Sequence, residues 1–270
     1  MTRAPRGPTD VARTTRPRAG TATVRGVIGL VGFLVVGEVV GRSGLTRPEF
    51  LPPSSTVLAR LVGLLADGSF LADVVATVLA WAISLAVALA IALPVGLLLG
   101  SVPVVRTATR ALVEFLRPIP SVALIPLAVV LIGQGPGSKI ALAVYAAVWP
   151  ILFNTIYAIS EVDPLLRETA TAFGVGRGRI LVEVVLPSIA PFVLTGVRLA
   201  AAIALILVVS TELLVGGARG IGEFIAQAGS GGGRMDLVLA ATIVAGLVGL
   251  VANAAFEAVD RRWLRWGSPS

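Results

Sequence analysis

Residues 163–187 read DPLLRETATAFGVGRGRILVEVVLP. This stretch lies between two long apolar runs, and its punctuation fixes a local structure. Asp163 is a good N-cap and Pro164 suits the first helical position, where a missing N–H costs nothing. A short helix is expected over 165–173, with Leu165, Leu166, Ala170 and Phe173 forming an apolar stripe at helical spacing. Gly174 can take positive φ and end that helix at its C′ position. Gly176-Arg177-Gly178 reads as a turn. A second helix over about 179–185 then leads into Leu186-Pro187, where the next apolar run starts. The result is a short amphipathic helix, a glycine elbow and a re-entry helix. With no partner, the same residues would serve as a connector lying on a membrane surface.

Working outward, six apolar segments can be drawn: Gly26–Gly41, Val74–Gly100, Ala111–Ile132, Ile140–Ile159, Pro187–Gly216 and Leu237–Val259. A spanning helix needs roughly 20 apolar residues. Runs such as Leu85–Leu99 do not alternate as strands of a membrane barrel would. The chain is 56% hydrophobic and 14% charged, with mean hydropathy +0.93. A soluble domain carries about 25% charged residues. The bilayer is therefore the expected solvent, and in it the backbone must pair internally, so the spans are helices.

With residues 1–25 inside, the inner segments hold Arg106, Arg110, Arg167, Arg177, Arg179, Arg261, Arg262, Arg265 and the arginines of the tail. The outer segments hold only Arg42, Arg47, Arg60, Lys139, Arg219 and Arg234. The positive-inside rule then places both termini in the cytoplasm. It also places Ser160–Leu186 there, as the longest internal cytoplasmic segment. Residues 1–25 read as a basic disordered tail and 267–270 as a short C-terminal one. The domain between them covers 26–266, with its loop at 160–186. A signal peptide competes for the first run, but no small-residue cleavage pattern follows it. The net charge of +7 invites a nucleic-acid reading. Arginines interleaved with apolar runs fit a membrane protein instead, with no nucleic acid.

The chain has no His and no Cys, which removes most metal sites, thiol nucleophiles and Ser-His-Asp triads. Gly133-Gln134-Gly135-Pro136-Gly137-Ser138-Lys139 has the wrong spacing for a phosphate-binding loop and reads as a turn. Gly229–Gly233 with Arg234 reads as a flexible outer loop. Ionisable residues within spans cost about 2.5–3.5 kcal/mol on insertion scales. Four stand out: Glu38, Glu114, Arg198 and Glu212. Glu114 is expected to pair with Arg117, three residues on. Glu38 is expected to reach the outer headgroups. Arg198 is a candidate for the pathway or for a bond to another helix, and Glu212, near the outer end of the fifth span, for solute contact, gating or an interfacial structural role. Pro118, Pro120 and Pro126 crowd the third span, and broken helices in membranes often line cavities.

The spacing Glu168-Thr169-Ala170, Gly174, then Val184-x-Leu186-Pro187 resembles the signature of importer permeases of the ATP-binding cassette (ABC) class. That signature reads Glu-Ala-Ala, three residues, Gly, nine residues, Ile, one residue, Leu-Pro; Thr169 and Val184 are small departures from it. Leu116-Arg117-Pro118-Ile119-Pro120 with Ile125-Pro126-Leu127, and Leu51-Pro52-Pro53-Ser54, are similar to the nitrate, sulfonate and taurine branch. So are Gly196-Val197-Arg198-Leu199 through Glu212, Gly220-Ile221-Gly222, and the ending at 261–266. The likeness covers about residues 46–266.

The resemblance implies an all-α membrane protein of about six transmembrane helices, like a type I ABC importer permease, with a short cytoplasmic coupling helix. It implies a prokaryotic inner membrane, a dimer of permease copies, two cytoplasmic ATPase subunits and an extracytoplasmic solute-binding protein. Glu168, Thr169, Ala170, Gly174, Leu186 and Pro187 become the ATPase-coupling positions. The chain itself would need no cofactor, because ATP would be bound by the partner subunits. The solute implied is a small anion such as an aliphatic sulfonate, taurine or nitrate. A secondary transporter acting without ATP is the main alternative. It is weakened by the absence of an internal repeat and by ionisable residues that lie mostly near span ends. A membrane-embedded enzyme lacks paired mid-span carboxylates.

Overall fold

The computed structural model describes residues 19–44, 47, 49–217, 219–230 and 233–263. The expected tail over 1–25 lies outside them up to residue 18, as do 264–270 and two glycines of the expected outer loop, Gly231 and Gly232. Among the described residues every regular element is a helix. Contacts divide the chain into two compact units, Met1–Ser55 and Thr56–Ser270.

In the first unit α1 (Ala19–Arg42) begins within the expected tail. Its outward face is apolar, with Ile28, Leu30, Phe33 and Val36 exposed, as suits a lipid-facing helix. Glu38 is held within the protein. It pairs with Arg42 at 2.6 Å and accepts from the Ser55 N–H and hydroxyl at 2.9 and 3.0 Å. Gly41 sits so close to Pro53 that a Cβ would lie 2.7 Å from its Cα.

The second unit is built on three long helices. These are α3 (Gly68–Ser101), α6 (Pro136–Glu161) and α9 (Leu186–Val215). Asp67 caps α3, accepting from the Ser69 N–H at 2.8 Å, and this bond holds its carboxyl below the usual carboxylate range. The three helices meet through small residues: Ala88 and Ala92 on α3, Ala143 and Ala147 on α6, Ala200 and Ala204 on α9. Hydrocarbon gives no hydrophobic drive between helices, so close backbone approach and dispersion must hold them. Two glycines set the approach. A Cβ on Gly96 would lie 2.7 Å from Thr155 Cβ, and one on Gly196 2.9 Å from Asn154 Cβ and 3.0 Å from the Pro150 carbonyl.

The third apolar run is not one straight helix. α4 (Pro103–Leu116) and the segment Ser121–Ile132, a 3-10 turn leading into α5 (Ile125–Ile132), meet at 79°. The cause is Pro118 and Pro120, which have no N–H to continue the ladder. Leu116 loses the donor it would find at position 120, and its carbonyl accepts instead from the Tyr145 hydroxyl of α6 at 2.9 Å and from the Ile119 N–H at 3.3 Å. The expected Glu114–Arg117 pair does not form. Arg117 still closes the last turn of α4, its N–H bonding the Val113 carbonyl at 3.1 Å, but each side chain takes another partner. Glu114 pairs with Arg110 at 2.8 Å, and the Arg117 guanidinium stacks 4.4 Å from the Phe153 ring centre.

α11 (Met235–Trp263) closes the helix set. Two helices not expected from the apolar runs, α2 (Ser54–Leu65) and α10 (Ile221–Ser230), pack with it around Phe70, Val57, Ile221, Ala240 and Val244. Among the described residues five helices are long and apolar enough to cross a membrane, or six spans if the bent pair is one. The fold is thus an all-helical membrane protein.

Candidate functional site

The stretch 163–187 folds much as its punctuation requires. α7 (Pro164–Ala172) starts at Asp163, whose carboxylate accepts from the Leu165 N–H at 2.9 Å. It ends on Gly174 at φ +75°. The Gly174 N–H bonds the Thr171 carbonyl at 2.9 Å and the Val175 N–H bonds the Ala170 carbonyl at 3.0 Å. That pair of bonds is a Schellman motif, satisfying two carbonyls a helix end leaves free.

The expected apolar stripe divides. Ala170 turns inward with Val175 onto Ile159, Ile180, Val185 and Ile189. Leu165, Leu166 and Phe173 face out, 64%, 50% and 84% exposed. Glu168 and Thr169 are exposed beside them. Arg167 folds back, its Nη2 donating to the Ile159 carbonyl at 3.3 Å at the end of α6. A rigid, capped helix of nine residues therefore presents three large apolar side chains and an acid.

The connection onward is one continuous helix and not a re-entry helix followed by a separate span. α8 (Arg177–Ile180) passes through a π-turn at Leu181–Val185 into α9. The Leu186 N–H bonds the Leu181 carbonyl, five residues back. Pro187 has no N–H for the Glu183 carbonyl, and the widened turn absorbs that gap. Leu186 is half-buried against the same cluster and Pro187 is exposed.

The other singled-out residues do not gather in one place. Pro118, Pro120 and Pro126 lie exposed along the broken third span. Arg198 lines a groove of about 590 Å³ between α9 and α11, and its Nε donates to Asn253 Oδ1 at 2.7 Å. Glu212 is fully buried and faces Lys139 of α6, 2.5 Å away.

This buried pair is a network. Lys139 Nζ also donates to the Arg219 carbonyl at 3.0 Å. Glu212 further accepts from the Thr77 hydroxyl at 2.9 Å and the Gly222 N–H at 3.1 Å. The Ile221 N–H donates to Thr77 Oγ1 at 2.9 Å. A Cβ on Gly222 would lie 2.7 Å from Glu212 Cβ. The network thus ties α3, α6 and α9 to the start of α10. The glycines around Lys139 place it in an outer turn by sequence, yet it sits in the first turn of α6. Its signal was available: it is the chain's single lysine, immediately before the apolar segment that begins at Ile140. The glycines before it do form a turn, with Gly133 and Gly135 at φ +96° and +139°.

Residues 92–265 match the family described as binding-protein-dependent transport system inner membrane component. A putative ABC transporter permease protein of Methanocaldococcus jannaschii is 34% identical over 82% of this chain and 84% of its own length. The bicarbonate transport system permease protein CmpB of Synechococcus elongatus is 30% identical over 87% of each chain. The taurine transport system permease protein TauC of Escherichia coli is 29% identical over 88% of this chain and 87% of its own. Among solved structures, an inward-facing MetNI methionine ABC transporter chain superposes with TM-score 0.62 at 22% identity, covering 72% of this chain and 96% of that one. That likeness bears on the fold, which is that of a type I ABC importer permease. The chain belongs to the family of binding-protein-dependent transport system inner membrane components, the permeases of ABC transporters.

Proposed function

We propose that this chain forms the solute pathway of an ABC importer as one of two permease copies, and that α7 docks on a cytoplasmic ATPase subunit. The observation that carries the reading is the geometry of α7. A nine-residue helix is too short to span, is capped at both ends, and exposes Leu165, Leu166 and Phe173. An exposed apolar cluster on a rigid mount fits a protein partner. Glu168, Thr169, Ala170 and Gly174 supply its charge, its small surfaces and its stop, while Leu186 and Pro187 join its movement to α9. Closure of the ATPases would push α7, and the continuous helix from Arg177 to Val215 would carry that push through the membrane.

On this reading both termini and the 160–186 loop are cytoplasmic, and an extracytoplasmic solute-binding protein delivers the solute. The chain takes no cofactor of its own, since ATP is hydrolysed by its partners. The solute proposed is a small species with an oxyanion group, such as an aliphatic sulfonate, taurine or nitrate. Taurine and bicarbonate are named for two relatives. The broken third span with Pro118, Pro120 and Pro126 is proposed to line the pathway.

Uptake into right-side-out vesicles holding the whole transporter tests the reading. Accumulation should require internal ATP and persist when proton and sodium gradients are collapsed. Uptake that follows an ion gradient and ignores ATP would favour a secondary transporter instead.

A further inference from the structure

We infer that Arg167 is a positioning residue that fastens α7 to α6, and that α6 carries movement of α7 to the outer end of the molecule. The inference rests on the permease reading. It adds a second route beside α9 and names the residue that engages it.

Arg167 is not held by a salt bridge. Of the carboxylates nearest in sequence, Asp163 caps the Leu165 N–H and Glu168 is exposed. Among the described residues the polar bond of the Arg167 side chain runs from Nη2 to the Ile159 carbonyl at 3.3 Å. Its Nε is buried with no partner. A half-buried cation with an unused donor is unfavourable, and an apolar side chain of similar length would fill the place without that cost. The guanidinium is explained by what it holds.

What it holds is the inner end of α6. Ile159 is among the last four residues of that helix, whose carbonyls have no donor within it and carry the negative end of its dipole. Only Val162 and Asp163 separate α6 from α7. Arg167 and Ala170 stand three apart on one face of α7, and Ala170 packs on the cluster of Ala158, Ile159 and Val162. An alanine contact permits sliding, whereas a hydrogen bond to one carbonyl has a direction. Arg167 thus fixes the angle at which α7 meets α6. Leu165, Leu166 and Phe173 stay exposed for the partner.

From that anchor α6 meets the parts a permease has to move. A Cβ on Gly96 of α3 would lie 2.7 Å from Thr155, and one on Gly196 of α9 2.9 Å from Asn154, so both helices sit on α6 without slack. Further along, Tyr145 holds the Leu116 carbonyl of the broken third span. Lys139 lies about 30 Å from Ile159 at 1.5 Å per residue. It donates to the Arg219 carbonyl and to Glu212, which in turn accepts from the Gly222 N–H at the start of α10. A tilt of α7 on ATPase closure therefore reaches the segment before α10 through one continuous helix. A route of contacts becomes coupling only when one end responds to the other.

The test uses the full chain purified with its ATPase subunits and carrying Gln227→Cys labelled with bimane on α10. The chain has no cysteine of its own, and the complex without Gln227→Cys serves as blank. ATP with vanadate should change the bimane emission. Arg167→Met, which keeps the apolar stem, should retain the ATPase at wild-type ratio and hydrolyse ATP within twofold of wild type. Its emission change should shrink at least fivefold. Arg167→Lys, which restores a cation and a donor, should recover at least half. Arg167→Gln, shorter and neutral, replaces Arg167→Met if that variant elutes poorly, with the same expectation. A wild-type label that ignores ATP overturns the route through α6. An Arg167→Met label that responds as in wild type overturns the role of Arg167, and so does loss of the ATPase, which would make Arg167 a docking contact. A loss that Arg167→Lys does not repair overturns the bond to Ile159. Wild type that brings down no ATPase removes the permease reading, and the inference falls with it.

Discussion

At Gly174 the backbone stands at φ +75° with open space around the missing Cβ. A larger residue there meets no clash, yet must hold a left-handed conformation at a cost of roughly 1 kcal/mol. That cost is too small to unfold the protein and large enough to misplace α7. Gly174→Leu should therefore abolish ATP-driven uptake while the protein still reaches the membrane, measured by transport assay beside an immunoblot of the membrane fraction. The buried pair behaves differently. Removing one partner leaves an uncompensated charge in a dry site, which costs about 3–5 kcal/mol. Lys139→Ala should lower stability by about that amount in denaturant titration. The double variant Lys139→Met, Glu212→Leu should be less damaged than either single one. Gly174 could be read from the sequence, because a glycine after an amphipathic turn has one obvious conformation. Glu212's partner could not, because it is 73 residues away and only the packing of α6 on α9 brings it near.

Among the elements, the third apolar run shows how proline chemistry is repaired. Tyr145 donates at 2.9 Å to the Leu116 carbonyl, which Pro120 deprives of its usual donor and which otherwise accepts only a long 3.3 Å bond from the Ile119 N–H. Tyr145→Phe should cost about 1 kcal/mol, the worth of one hydrogen bond, with no change in helix content by circular dichroism. The long apolar runs located α1, α3, α6, α9 and α11 because twenty apolar residues have few other fates. α2 and α10 escaped that reading. Each is short and amphipathic, and its helicity comes from packing around Phe70 and Ile221 rather than from a run of apolar residues. The π-turn at Leu181–Val185 was likewise hidden, since only the ladder around Pro187 reveals it.

For the whole molecule, the fold, the membrane setting and the family all follow from features visible in the chain. Orientation is the large-scale property that rests on arginine bias alone. The absence of cysteine makes it easy to probe. Single variants Phe173→Cys and Gln227→Cys both sit on exposed sites. An impermeant maleimide applied to intact cells should label Gln227→Cys and leave Phe173→Cys untouched until the membrane is opened. The reverse pattern would invert the topology and put α7 out of reach of any ATPase.

The central claim is that α7 is where ATP hydrolysis is coupled to the membrane domain. The most direct measurement is co-purification from gently solubilised membranes, comparing wild type with the Glu168→Arg, Gly174→Leu double variant. An ABC ATPase should come out with wild type and be missing from the variant, whose own elution profile stays unchanged. A variant that retains the ATPase at wild-type ratio would contradict the claim.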